Sequence, residues 1–189
     1  MIPPGLSFIA MSQKAWEATE KSNLPKFYLN LKSYRKSLLT NSNPYTPAVN
    51  LVFALDEALK MMREEGLDNI FQRHNKHKLA MSNAVKALNL KLFADEKYLS
   101  PSITAIKTGK INAEEFRKTV KNKFDILLAG GQDHLKGKIF RVGHLGYVND
   151  RDIITVVSAI SKTLLDIGKI TTQQAGESLV VTSKYLEAN

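Results

Sequence analysis

The chain has 189 residues, 43% of them hydrophobic and 24% charged, with 10 glycines and 6 prolines, a near-average globular composition that excludes disordered and fibrous classes and suits one domain, or one plus part of another. It has no cysteine, which excludes disulfides, thiolate nucleophiles, thiolate zinc sites and iron–sulfur ligation by this chain. A formal charge of +9 and a pI near 9.6 raise the question of nucleic acid, but the basic residues fall in short scattered groups, such as Lys32, Arg35 and Lys36, that suit solvated helix faces, and no RNA or DNA module accompanies them.

Met1 is followed by Ile-Pro-Pro-Gly rather than by a basic and apolar leader, and the apolar runs are far shorter than the roughly 20 residues that cross a bilayer, so the expectation is a cytoplasmic protein. The run "LSFIAMS", bounded by turn residues, predicts a buried strand. Ser12 suits a helix N-cap before "QKAWEATEKS", and Asn23 and Pro25 end that helix. "TNSNPYTPAV" is a turn region, with Pro44 and Pro47 extending the residues before them.

From Val49 the apolar period becomes helical. Leu51, Val52, Leu55, Leu59 and Met62 share one face, Gly66 marks a break or kink, and Leu67, Ile70, Phe71, Met81, Val85 and Leu88 continue in a second helix. Downstream, "SPSITAIKT" predicts a strand, "INAEEFRKTVKNKF" an amphipathic helix, "DILLAGG" a buried strand and "KIFRVGHLG" another. A helix capped by Asn149 and stopped near Gly168 follows, and the remaining residues predict a short final helix. This order implies an α/β layout, a small antiparallel or mixed sheet covered by helices on one side.

Few constellations carry chemistry. His74 and His77 sit three apart on a helix, but the basic residues Arg73, Lys76 and Lys78 beside them disfavour a cation, and a solvated polar face is the better reading. Gly130-Gly131 lacks the Lys-Ser or Lys-Thr of a phosphate loop and reads as a flexible connection, while Asp133-His134 has no nucleophile beside it. Arg141 stands out, because a charge in the middle of an apolar strand is costly unless paired. Either it lies on an edge strand and meets an Asp or Glu, or its guanidinium binds a ligand carboxylate bidentately. Gly143 and Gly146 would let backbone or ligand approach closely.

Several stretches taken together, "MIPPGLSF", "KAW", "FYLNLKSY", "YTPAVNLVFALDEAL" and "LAGGQDHLKGKIFRVGHLGY", resemble the C-terminal half of the class V, fold-type I pyridoxal-phosphate aminotransferases, nearest to the serine–pyruvate and alanine–glyoxylate group. The resemblance runs in consistent order from about Met1 to Gly168. It implies that residues 1–65 are the end of a large cofactor-binding domain with its linker helix, 66–168 a small C-terminal domain, and 169–189 an extension. In the family the cofactor lysine stands shortly before Pro-Pro-Gly, so Lys14, which follows Pro3-Pro4-Gly5 within "SQK", aligns with an ordinary position and the chain would begin just after the real one. Thr46 matches a threonine that reaches the neighbouring subunit's cofactor phosphate, and Asn43 stands where the family often has a tyrosine. Arg141 matches the arginine that binds the substrate α-carboxylate.

The resemblance therefore implies part of a homodimeric transaminase for a small amino acid with glyoxylate or pyruvate, using pyridoxal 5'-phosphate in the intact enzyme. The isolated chain is expected to bind no cofactor and to be inactive, and neither a membrane nor nucleic acid is an expected partner. Relatives of this family also carry the label of a soluble hydrogenase's small or tritium-exchange subunit, so a redox subunit is one alternative, although this chain has no thiolates for it. A standalone basic interaction module is the other.

Overall fold

The computed structural model describes residues 2–187 and divides the chain into two units, Met1–Glu64 and Glu65–Asn189. In the first, helix α1 (Gln13–Lys21) begins where Ser12 Oγ accepts the Ala15 N–H at 3.2 Å, as its composition predicts. Helix α2 (Leu31–Leu38) is capped in the same way by Asn30. Between them and α3 (Val49–Glu65), the Tyr45 ring lies 4.8 Å from that of Tyr28 and its hydroxyl donates to the Phe27 carbonyl at 3.0 Å.

Two expectations fail here. "LSFIAMS" forms no strand, and Phe8 and Ile9 are 76% and 65% exposed; an extended segment becomes a strand only when a neighbour takes its backbone hydrogen bonds, and the four-stranded sheet uses only residues from 91 to 143. The apolar stripe of α3 has the helical period, yet Ala58 is the single buried residue of that helix, with Val52, Leu59 and Met62 exposed.

Near the start of the second unit Gly66, whose φ of +83° suits glycine, separates α3 from α4 (Leu67–Ala87). Strands β1 (Lys91–Leu92), β2 (Ile103–Lys107), β3 (Ala129–Gly130) and β4 (Ile139–Gly143) form one antiparallel sheet in the order β1-β2-β4-β3. Helix α5 (Ala113–Phe124) joins β2 to β3, and α6 (Asp150–Asp166) and α7 (Thr172–Glu187) follow β4. Alternation along the strands sends Ile106, Phe140 and Val142 into a core with Met81 and Val85 of α4, Phe116 and Val120 of α5 and Val157 and Ile160 of α6. At its centre the Phe116 and Phe140 rings stack with centroids 5.1 Å apart.

"DILLAGG" contributes only two paired residues, β3, and Leu127 is 77% exposed. Asp125, with φ of 55°, turns the chain as α5 ends, and the Leu128 carbonyl is taken by the Arg117 side chain rather than by a strand neighbour. The final helix is 16 residues long rather than short; it packs on α4 and α6, placing Leu186 in the core and Ser178 Oγ 2.9 Å from Ser161 Oγ.

Helix α6 begins with a complete capping box: Asn149 Oδ1 accepts from the Arg151 and Asp152 N–H groups while the Asp152 carboxylate accepts the Asn149 N–H. Asn149→Ala is expected to lower the unfolding free energy by about 1 kcal/mol. Urea melts of the two proteins check this, and an unchanged midpoint would show that the box adds nothing.

Candidate functional site

Strand β4 lies between β2 and β3, so Arg141 is not on an edge, and the edge-strand alternative with an Asp or Glu partner does not hold. Its neighbours Phe140 and Val142 point into the core, so Arg141 projects from the opposite face of the sheet. Directly across the two ladders stand Ala105 and Ala129, whose methyl groups leave the guanidinium room on that face. Arg141 Nε donates to the Gly130 carbonyl at 2.9 Å. No carboxylate among the described residues pairs with it, which leaves the two terminal nitrogens as an unmatched fork suited to a planar anion.

The Gly130-Gly131 pair is not a flexible connection. A Cβ on Gly131 would stand 2.1 Å from the Leu135 carbonyl oxygen, and one on Gly130 would stand 2.5 Å from Arg117 Nη1 and 2.8 Å from Glu114 Oε1. Arg117 itself donates from Nε to the Leu128 carbonyl at 2.7 Å and from Nη1 to Glu114 at 2.7 Å. Close packing, not freedom, explains both glycines.

Thr46 belongs to the first unit, in an open hollow formed by residues 41–47; its side chain and that of Asn43 are exposed. Lys14 is exposed on the first turn of α1, and no lysine among the described residues is buried. A lysine that must lose its proton readily to hold a carbonyl cofactor needs a desolvated or cation-flanked setting.

The pair His74 and His77 overturns the expectation of a solvated face. His77 is fully buried and its Nε2 donates to Asp150 Oδ1 at 2.9 Å, while Lys76 Nζ meets the other oxygen of Asp150 at 3.0 Å. His74 Nδ1 donates to the Ile70 carbonyl and its Nε2 accepts the Gly146 N–H, which fixes the neutral tautomer. Arg73 donates to the Gly146 and Val148 carbonyls and pairs with Glu65. The four side chains thus clamp the segment that follows Arg141 onto α4 and the start of α6.

His144, in that segment, is also fully buried, with Nε2 2.8 Å from Thr104 Oγ1 and Nδ1 without a hydrogen-bond partner among the described residues. Burial pushes the His144 imidazole down to about 4, helped by its neighbour His77. Burial likewise lowers His77, against the pull of Asp150. Partial desolvation would raise Asp150, but the hydrogen bonds from Lys76 and His77 hold its carboxyl below the ordinary value. The Arg73 hydrogen bond lowers Glu65 in the same way.

The chain is similar in fold to aminotransferases of known structure. It is similar to the crystal structure of ureidoglycine–glyoxylate aminotransferase from Bacillus subtilis, with a TM-score of 0.89 and 26% identity over 99% of this chain and 49% of that one. It is 32% identical to serine–glyoxylate aminotransferase of Methylorubrum extorquens over 197 residues, 100% of this chain and 48% of the relative. A protein named soluble hydrogenase, small subunit, from Synechococcus sp. is 52% identical over 186 residues, 98% of this chain and 48% of the relative. No family model matches the chain. Its homologues and structural neighbours are class V aminotransferases of the serine/alanine–glyoxylate group. The chain spans about half the length of these relatives. Among the described residues, no helix is long and apolar enough to cross a membrane.

Proposed function

We propose that the chain is the C-terminal, small-domain portion of a homodimeric pyridoxal-phosphate aminotransferase that moves an amino group between serine or alanine and glyoxylate or pyruvate. The observation that carries this reading is Arg141, anchored through Nε to Gly130, flanked by alanines and free of any carboxylate partner among the described residues. In that role its terminal nitrogens bind the substrate α-carboxylate end-on, and the rigid strand beneath it fixes the substrate's orientation. Thr46 contributes a hydroxyl to the cofactor phosphate of the neighbouring subunit. Residues 1–65 close the large domain, 66–168 form the small one and 169–189 an extension of it.

The cofactor, when bound, supplies the electron sink for amino transfer. The residues present here do not complete its site, because no lysine among those described is desolvated, and no step of its chemistry is assigned to this chain. The isolated chain is accordingly inactive in this reading.

Co-production with the portion of the Synechococcus relative left uncovered by the match tests it. Transamination of glyoxylate by serine or alanine is expected only with both parts present, and Arg141→Lys is expected to lower kcat/KM at least about 10-fold, because an ammonium cannot reproduce the planar fork. Activity unaffected by Arg141→Lys would remove the carboxylate role. The hydrogenase name of close relatives motivates a second reading as a redox subunit, which stoichiometric nickel or iron in the assembled protein would favour.

A further inference from the structure

We infer that Arg117 and Glu114 of α5 are positioning residues for Arg141, acting through the two-residue strand β3; the functional meaning of this rests on the carboxylate-binding role proposed above. A strand of two residues at a sheet edge has too few ladder bonds to hold its own place. Its carbonyls nevertheless set the direction of the guanidinium, since Arg141 Nε donates to Gly130 O at 2.9 Å. What fixes β3 from the other side is the α5 pair. Arg117 Nε donates to Leu128 O at 2.7 Å, two residues before Gly130, and Nη1 to Glu114 Oε2 at 2.7 Å.

The pair also packs against Gly130 itself, at the place where any side chain would stand. Its charge-assisted bonds are shorter and stronger than neutral ones, and the side chains of Arg117 and Glu114 are only 23% and 38% exposed, so water competes weakly at the arginine. With Nε committed to a fixed carbonyl, the Arg141 plane is set, and its free edge is the one carrying both terminal nitrogens. An anion therefore meets a pre-aimed fork rather than a swinging one, and less ordering is lost on binding. Among the described residues Glu114 Oε1 has no hydrogen-bond partner, and it stands where a Gly130 side chain would have to go.

The test uses the full 189-residue chain, with the Arg141 Nε–H signal identified by its disappearance in Arg141→Lys. Two quantities are followed by nuclear magnetic resonance: the exchange rate of that Nε–H with solvent, and its response to sodium pyruvate against sodium chloride at equal ionic strength. In Arg117→Lys, Nε–H exchange is expected to accelerate and the pyruvate dissociation constant to rise roughly 10-fold, while the Ile106 and Phe140 amides of the β2–β4 ladder keep their protection. That combination is one a general loss of stability would not produce.

Unchanged Nε–H exchange in a folded Arg117→Lys overturns the inference. If that variant loses the native amide pattern, Glu114→Gln is read in the same way, and unchanged exchange there overturns it equally. A wild-type chain whose Arg141 signal ignores pyruvate would instead sink the carboxylate role, leaving the exchange measurement to decide the positioning one.

Discussion

Acidifying the protein from pH 7 to about 4 is expected to cost its second unit about 3 kcal/mol of stability through His144 alone, since each pH unit between the ordinary and the folded pKa is worth about 1.4 kcal/mol. In the unfolded chain the imidazole takes its proton near the ordinary value of 6.5, whereas in the folded protein burial holds this off to about 4. Between those values the unfolded state binds the extra proton, so stability is intact above pH 6.5 and falls as the pH drops toward 4. His77, lowered by burial in spite of Asp150, steepens the same fall. Asp150 and Glu65, both held below their ordinary values, add a separate loss only as the pH passes below the usual carboxylate range. Urea unfolding at pH 7, 6, 5 and 4.5 measures the slope. His144→Gln is expected to be less stable at pH 7 but much flatter below pH 6.5, and parallel profiles for the two proteins would show that His144 is not the titrating group.

The buried histidines also mark the limit of what the sequence made legible. His77 lies four, seven and eleven residues before Met81, Ala84 and Leu88, the spacing of one helix face, and all four are buried. The signal was present, but three cations nearby suggested a wet surface, and only the fold brings in Asp150 to receive Lys76 and the Gly146 and Val148 carbonyls to receive Arg73. Local chemistry was more readable: the caps at Ser12 and Asn149, the break at Gly66 and the strands β2 and β4 all follow from residue type and period. Failures occurred where an element depends on a partner. Apolar letters at Phe8 and Ile9 cannot say whether a strand neighbour exists, and the stripe of α3 cannot say what covers it. Arg141 was legible as an anomaly, but its anchoring by Gly130 and the α5 pair depends on contacts eleven residues apart or more in sequence.

Gly131→Ala is expected to destabilise the second unit by roughly 3 kcal/mol, the upper part of the range for forcing atoms into a filled space. Gly131 does not have a positive φ, so the obstacle is steric: the added methyl would lie 2.1 Å from Leu135 O and 2.6 Å from Leu135 C. Those are backbone atoms of the tight turn at Asp133–Leu135, where Leu135 N–H donates to the Gln132 carbonyl and Asp133 already has φ of 47°. The turn cannot retreat without pulling on Lys138 and β4, because the Leu135 carbonyl accepts the Lys138 N–H and Gly131 N–H donates to Ile139. Gly130→Ala makes an instructive contrast, since its methyl meets the ends of Arg117 and Glu114, which can swing aside. It is expected to cost less stability than Gly131→Ala while loosening Arg141 more. Urea midpoints for the two variants, set beside the Arg141 Nε–H exchange rates, separate the cases. A Gly131→Ala protein as stable as the parent would mean that the Leu135 turn is far softer than its hydrogen bonds imply.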